Sequence, residues 1–390
     1  MKRLAVFFTR GVSLRQWLET GLLHREQLVY INHLNQGFFD TIFWLTYGRD
    51  DSSLAELLHR EGKLDPRIKV LGMPKAFPYL GKVDSLFYSL MMPLCHSKQL
   101  SECGVLKTNQ MDGSIAGLIS SKLFNVPLYL RTGYTLSLFT KRIHKNNVPR
   151  DLYAWIVERF AYHNCAASSV SSNYDRKYIS KRFKELLVKP IVVGNYVDVD
   201  SFAPRAGRER LDRVLFVGRI SRQKNVHAAI EACAEVGIGL DLVGTGPDIN
   251  AMKSLAAKVG ADLRWLGVIS NSDLPDILAS YRYFLLPSLW EGLPKALLEA
   301  MAMGMVCIGT NVTGVNELLV DGVTGFVSET SDASDIAKTI TKALKGDHLT
   351  IGNSARNLIS QEYSLDIIAS REREIYFKME LVGEKRFWHD

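Results

Sequence analysis

At 390 residues, 47% hydrophobic and 23% charged, the chain carries enough apolar material for two full cores, which excludes a disordered or low-complexity protein. Its formal charge of +7 is unevenly spread: residues 1–200 hold 27 Lys+Arg against 17 Asp+Glu, and residues 201–390 hold 21 against 24. The first half reads either as facing something anionic (a phosphorylated substrate, an acidic membrane surface or nucleic acid) or as a solvated basic face. Five cysteines, Cys95, Cys103, Cys165, Cys233 and Cys307, show no C-x-x-C spacing and read as reduced core residues, which fits the cytoplasm. Residues 4–8 are too short and too soon followed by Arg10 for a signal-peptide core, and no run approaches the roughly 18 uncharged apolar residues of a spanning helix. The expectation is a cytoplasmic protein, soluble or held at the inner face of a membrane.

In chain order, residues 4–8 form a first predicted strand, and the turn Thr9-Arg10-Gly11-Val12-Ser13 leads into a helix from about Leu14. Further strands are predicted at 27–31, 41–45, 68–71, 104–106 and 126–130, with helical patterns such as 114–123 after several of them. Residues 190–193 read as the last strand of this half, and 195–204 as a linker. The pattern restarts at 214–217, with strands at 240–243, 263–266, 283–286, 306–308 and 325–327 and helices at about 226–236, 249–259, 274–279 and 294–303. Late helices are predicted at 333–344 and 365–381. Alternating strands and helices predict parallel sheets covered on both faces, with ligands at the carboxyl ends of the strands. The predicted domains are 1–195 and 205–360, with a C-terminal helix within 361–390 packing back on the first.

Residues 285–303 are the most informative stretch. An apolar strand ends at Pro287, Gly292 loosens the turn, Pro294 suits the first helical position, and Gly304 closes the helix. Glu291 lies in the turn and Glu299 well over one helical turn beyond it, too far apart for a close acid/base dyad, so the two acids suit the two ends of a long ligand. Residues 217–225 leave a strand and enter a helix, where Gly218 admits a ligand to the backbone and Arg219 and Lys224 suit a diphosphate, against the alternative of solvated charges on a turn. Gly244-Thr245-Gly246-Pro247 follows the next strand at the same edge and is a weaker nucleotide signal, without the third glycine of a dinucleotide fingerprint. Asp198-Val199-Asp200 sits in the linker, away from any nucleotide, and is not expected to bind a metal; nine histidines show no ligand spacing, so no zinc site is expected either.

Taken together, these segments resemble the retaining glycosyltransferases of family 4 (group 1 type), whose α/β fold, GT-B, sets two Rossmann-like domains with parallel sheets facing across an interdomain cleft. The resemblance runs in order through 214–219 with Lys224, 242–247, 266–268, 286–288, 291–302 with Gly304, and 322–327, and the linker looks like the family's crossover. It implies that Arg219 and Lys224 neutralise the donor diphosphate, that Glu291 contacts the donor sugar, and that Glu299 takes the ribose hydroxyls. The backbone of Gly292, Leu293, Pro294 and Lys295 would lie near the sugar or phosphates, Gly218 and Gly244 would line the donor, and the backbone at Val268 would meet the base. Catalysis would rest on Arg219, Lys224 and Glu291 with no metal or cofactor, by front-face attack in which the leaving phosphate takes the acceptor proton as the domains close.

The first half is less informative. Gly11 sits where the family brings a glycine loop over the donor phosphates. Segments 107–113 and 130–134 leave apolar runs at the expected cleft edge and make Asn109, Asp112, Arg131 and Tyr134 acceptor-side candidates. Many relatives carry a histidine near the second segment, where this chain has Arg131; it either binds an anionic acceptor or pairs with an acid such as Asp112. Residues 138–145 read as a solvated basic loop, with contact to an anionic membrane as the alternative. Aromatic residues are not grouped with the basic ones, so nucleic acid is not an expected partner. The expected activity is transfer of a hexose-type sugar from a nucleotide sugar to a glycan or lipid-linked acceptor, in cell-surface polysaccharide or lipopolysaccharide synthesis. The alternatives are a nucleotide-sugar epimerase, which would isomerise free donor without acceptor, and a non-catalytic sugar-nucleotide or glycan-binding protein.

Overall fold

The computed structural model describes residues 3–79, 81–143, 147–186, 188–205 and 207–386. They fall into two compact units, one running to Gly194 and resuming at Ala369, the other spanning Asn195–Ile368. Among the described residues of the first, β1 (Arg3–Phe7), β2 (Thr41–Leu45), β3 (Ile68–Leu71), β4 (Val105–Thr108), β5 (Leu128–Thr132), β6 (Ala167–Val170) and β7 (Ile191–Val192) form a parallel sheet in the order β3-β2-β1-β4-β5-β6-β7. In the second, β8 (Leu211–Val217), β9 (Leu240–Val243), β10 (Leu263–Gly267), β11 (Tyr281–Leu286), β12 (Val306–Thr310) and β13 (Phe326–Ser328) form another, ordered β10-β9-β8-β11-β12-β13. Central strands are covered on both faces, so they read as unbroken apolar runs; Tyr283 to Leu286 are all buried.

Each sheet reverses its strand order once, between β1 and β4 and between β8 and β11, and each reversal opens a crevice at the carboxyl ends of its two strands. The crossovers also sort the helices. Right-handed connections running from β3 through β4 and β5 to β6 put the helices Asp84–Cys95, Ser114–Phe124 and Val148–Asn164 side by side on one face. Connections running the other way, from β1 to β3, put Leu14–Glu19, Leu23–Asn35 and Asp51–Arg60 on the opposite face.

The predicted strands at 41–45, 68–71 and 240–243 and the helices at 226–236, 249–259, 274–279 and 333–344 coincide with the observed elements. The strand predicted at 27–31 is wrong: these residues lie inside the helix Leu23–Asn35. Its buried positions Leu23, Gln27, Tyr30 and Leu34 recur every three or four residues, a helical period masked by the local apolar run at Leu28 to Ile31. Strand β6, Ala-Ser-Ser-Val, has no apolar run to announce it, yet Ser168 and Ser169 are buried and the Ser169 hydroxyl pairs with the Tyr129 hydroxyl at 2.6 Å. The helix His348–Glu362 was not anticipated. The linker is held down rather than loose: Val197 bridges to Ser364, and Arg356 donates to the Phe202 carbonyl at 3.0 Å.

In the first unit a buried ionic cluster fastens the C-terminal helix Leu365–Arg386. Lys107 Nζ lies 2.7 and 2.8 Å from the two Glu372 carboxylate oxygens, and His33 Nε2 lies 3.1 Å from one of them. Lys107 also sits over the Tyr30 ring at 5.0 Å, and Arg373 donates to Asn32 Oδ1 at 2.7 Å. A second buried histidine, His96, pairs through Nε2 with the Tyr88 hydroxyl at 2.8 Å. Burial lowers the His96 pKa to about 4 against a weaker opposing contact with the Gly72 backbone, and burial lowers His33 as well despite the Glu372 carboxylate. Both histidines bind a proton more readily unfolded than folded, so stability is lost as pH falls from 6.5 toward 4. For His96 the loss is roughly 3 kcal/mol. Urea unfolding across that interval should show the midpoint falling, with a shallower slope in His96→Gln; a slope unchanged in that variant contradicts the assignment.

Candidate functional site

The carboxyl ends of β8 and β11 flank the crevice of the second sheet, and the loops beyond them are stitched together. Gly218 N–H donates to the Val243 carbonyl at 3.0 Å and Ile220 N–H to the Thr245 carbonyl at 2.9 Å. A Cβ at Gly244 would collide with the Gly218 carbonyl, and one at Gly246 with that of Ile220, so the two loops touch backbone to backbone only because both positions are glycine. Arg219 is exposed at this edge, with no hydrogen-bond or ion-pair partner among the described residues. Lys224 ends the short 3₁₀ turn Arg222–Lys224. Asn225, at φ +54°, then swings the chain into the helix Val226–Val236 while its amide donates to the Ser331 carbonyl at 2.8 Å.

On the other side, Leu289 N–H donates to the Gln223 carbonyl at 2.8 Å and Gln223 Nε2 to the Trp290 carbonyl at 2.9 Å. These two bonds seat Glu291 against Lys224, with Nζ to Oε1 at 2.6 Å; the side chains are 18% and 7% exposed. Leu293 offers its carbonyl to Asn195 Nδ2 at 2.6 Å. Pro294 is extended, at ψ 113°, and caps the helix Lys295–Ala302 from outside, so the helix starts one position later than the predicted start at Pro294. Glu299 is buried on that helix, and Lys295 lies over the Tyr196 ring at 5.7 Å. Val268 is exposed just beyond Gly267, whose carbonyl accepts from Gly244 N–H at 2.7 Å. Every donor-side residue expected from the sequence thus lies on the second unit, most of them at one sheet edge, and Lys224 and Glu291 touch. Asp198 is engaged in its own turn, accepting from the N–H groups of Asp200 and Ser201 and from the Ser201 hydroxyl at 2.6 Å.

The first unit arranges its own candidates around the β1/β4 reversal. Gly11 takes φ +80° after β1, and Asn109 N–H donates to the Phe7 carbonyl at 2.8 Å. Asp112 lies 4.0 Å from Arg10; burial raises its carboxyl pKa and the Arg10 charge opposes that. Arg131 Nη1 donates to the Asn109 carbonyl at 3.1 Å. Tyr134 stacks on Phe139 at 5.1 Å, and burial pushes its phenol up to about 12. Much of the segment 138–145 lies in the helix Leu136–Ile143, while His144 and Lys145 lie outside the described residues.

Residues 200–364 match the glycosyl transferases group 1 family. That match lies within the second unit. An Escherichia coli relative, UDP-Gal:alpha-D-GlcNAc-diphosphoundecaprenol alpha-1,3-galactosyltransferase, is 28% identical over 298 residues, covering 70% of this chain and 75% of its own. The alpha-maltose-1-phosphate synthase of Mycobacterium tuberculosis is 24% identical over 366 residues, 84% of this chain and 94% of its own. In fold, the chain is similar to sucrose-phosphate synthase from Thermosynechococcus elongatus (TM-score 0.77, 17% identity, 98% of this chain and 100% of that one). It is also similar to Anabaena Alr3699/HepE in complex with UDP (TM-score 0.74, 17% identity, 97% and 100%). Those neighbours are GT-B glycosyltransferases, so the two α/β units here have the GT-B fold.

Four contributors to these crevices escaped the sequence reading. Gln223 joins the β8 and β11 loops, but a lone glutamine in a basic turn carries no signal. Thr313 donates to the Glu291 carbonyl at 3.4 Å, and Gly314 lies so close to the Gly292 carbonyl that a Cβ would not fit. Asn311 to Gly314, a turn closing on glycine straight after β12, was a legible signal for them. Arg10 was read only as part of a turn, because its nearness to Asp112 depends on β1 lying beside β4.

Proposed function

We propose that the chain transfers a sugar from a nucleoside diphosphate donor to a hydroxyl of a glycan or lipid-linked acceptor, retaining anomeric configuration and using no metal, in the assembly of cell-surface polysaccharide or lipopolysaccharide. The observation that carries this reading is the Lys224–Glu291 contact at the β8/β11 reversal, with Arg219 exposed beside it. A leaving nucleoside diphosphate gains negative charge as the glycosidic bond breaks, and cations fixed before the reaction stabilise that state more than the ground state. Arg219 and Lys224 supply that charge, so no divalent ion is needed. In the free protein Glu291 holds the Lys224 ammonium in position; with donor bound, Lys224 turns to the diphosphate and Glu291 to the sugar. Glu299 takes the ribose hydroxyls, the backbone from Gly292 to Lys295 meets the sugar or phosphates, and Val268 meets the base. Among the described residues we assign no carboxylate as a nucleophile, so the acceptor attacks from the leaving-group side and the departing phosphate takes its proton. The second unit holds the donor, and the basic first unit the acceptor.

The substrate named for the Escherichia coli relative supports a uridine donor and a lipid-linked acceptor for this chain. A thermal-shift panel of uridine, guanosine and adenosine diphosphates tests the reading, because a ligand selective for the folded state raises its midpoint; no shift with any of them counts against it. Glu299→Ala should raise the donor KM roughly 10- to 100-fold, the worth of a hydrogen bond to a charged group, with kcat little changed. A wild-type KM in that variant removes the ribose role.

A further inference from the structure

The three helices on one face of the first sheet turn apolar stripes outward. On Asp84–Cys95 the stripe is Leu86, Leu90 and Leu94; on Val148–Asn164 it is Leu152, Ile156 and Phe160. Both repeat every four residues, so each is a continuous ridge along its helix. Between them, Ser114–Phe124 presents Ile119 and Leu123. Phe160 is 59% exposed and Leu123 53%. A groove of about 590 Å³ runs between these last two helices, lined by Ile115, Leu118, Ile119, Leu123 and Phe160 with Lys122 and Asn164. The described part of the C-terminal helix is held on the opposite layer, by His33 and Asn32. Contiguous exposed apolar surface of this kind marks interaction sites.

The exposed charges on it are mostly positive. The exposed ionic residues on the three helices are Lys122, Arg150 and Arg159, the last paired sideways with Glu185, and Lys141 is exposed on the neighbouring Leu136–Ile143. The acids on the same helices are withdrawn: Glu158 is buried beside Arg182, Asp84 pairs with Arg49, and Asp151 is half-buried. A second copy of the chain docking here would set cations against cations. An anionic bilayer satisfies both features, taking the ridges among its acyl chains and the cations at its headgroups. We infer that this three-helix face is a docking surface for an anionic lipid membrane. The surface is argued from its own residues and stands whether or not the acceptor is lipid-linked.

Flotation of the full chain with phosphatidylcholine vesicles, with and without phosphatidylglycerol, tests this without donor or acceptor, so failed glycosyl transfer does not affect the result. The chain should float with the anionic vesicles and less so at high salt. Phe160→Asp and the milder Leu123→Gln should each weaken binding about tenfold, and Lys122→Gln and Arg150→Gln about fivefold each. Leu349→Asp, at an exposed leucine on the other unit, should leave binding unchanged. Circular dichroism confirms that each variant is folded. Absence of flotation, equal loss in Leu349→Asp, or a dimer in sedimentation that Phe160→Asp dissociates while vesicles go unbound would overturn the inference.

Discussion

Lys224→Ala is expected to lower kcat by roughly two to three orders of magnitude, the usual consequence of removing a fixed donor from developing negative charge. The ion pair complicates this substitution in an informative way. Lys224 is the cation facing a nearly buried Glu291, so its removal leaves a carboxylate without its counter-charge at the proposed diphosphate site. Part of the loss would then be repulsion created by the mutation. The double variant Lys224→Ala with Glu291→Gln separates the two effects, because it removes the stray charge along with the lysine. If Lys224 acts on the leaving group, the double variant is slower at saturating donor than Glu291→Gln alone, and Lys224→Arg recovers part of the rate. A double variant as fast as Glu291→Gln alone would mean that Lys224 serves only to neutralise Glu291, and the charge on the leaving group would then be met by Arg219 alone.

That the two residues touch was not legible in the sequence, although both were. Glu291 and Lys224 each announced themselves through local chemistry: a strand, a turn-forming glycine, a charge at a helix entry. Their contact depends on β8 lying beside β11 rather than β10, and the order of strands in a sheet is a long-range property. The second unit was easier throughout, since its buried parallel strands are apolar runs and its turns carry glycine where backbones meet. Gly244 is an example: taken as a motif it is weak, yet its lack of a side chain is required by the Gly218 carbonyl. The first unit hid more. β6 is held by serines whose hydroxyls pair internally, so it reads as polar although it is buried. Arg131 was read as a possible partner of Asp112, yet Asp112 lies near Arg10, while Arg131 donates to the Asn109 carbonyl. His33, Lys107 and Glu372 come from three distant stretches of chain, and no local pattern joins them.

Glu372 is where the largest loss of stability is expected. Glu372→Ala leaves the Lys107 ammonium, 2% exposed, in a buried site without its carboxylate, which costs about 3–5 kcal/mol. Against a total stability of about 5–15 kcal/mol, that is enough to unfold a large part of the first unit on mild heating. Lys107→Met should be damaging for the converse reason, because it leaves Glu372 with His33 and the Tyr376 hydroxyl as its hydrogen-bond partners among the described residues. The pair Lys107→Met with Glu372→Leu removes both charges and should recover most of the loss, and urea unfolding of the three variants measures the coupling directly. Additive losses would mean that packing rather than charge sets the effect. The pH dependence supplies a separate check. Burial alone would raise the Glu372 pKa, but Lys107 and His33 outweigh it and hold the carboxyl well below the ordinary range, while burial pushes Lys107 down. The contribution of Glu372 is therefore complete above the ordinary carboxylate pKa and disappears only as pH falls below it, through the lowered value. Down to about pH 5 the loss of stability should come from His33 and His96, so at pH 7 and pH 5 the measured Lys107–Glu372 coupling should be the same. A coupling that weakens between those two values would show the carboxyl titrating in its ordinary range, and the ionic cluster would then not be what holds the C-terminal helix.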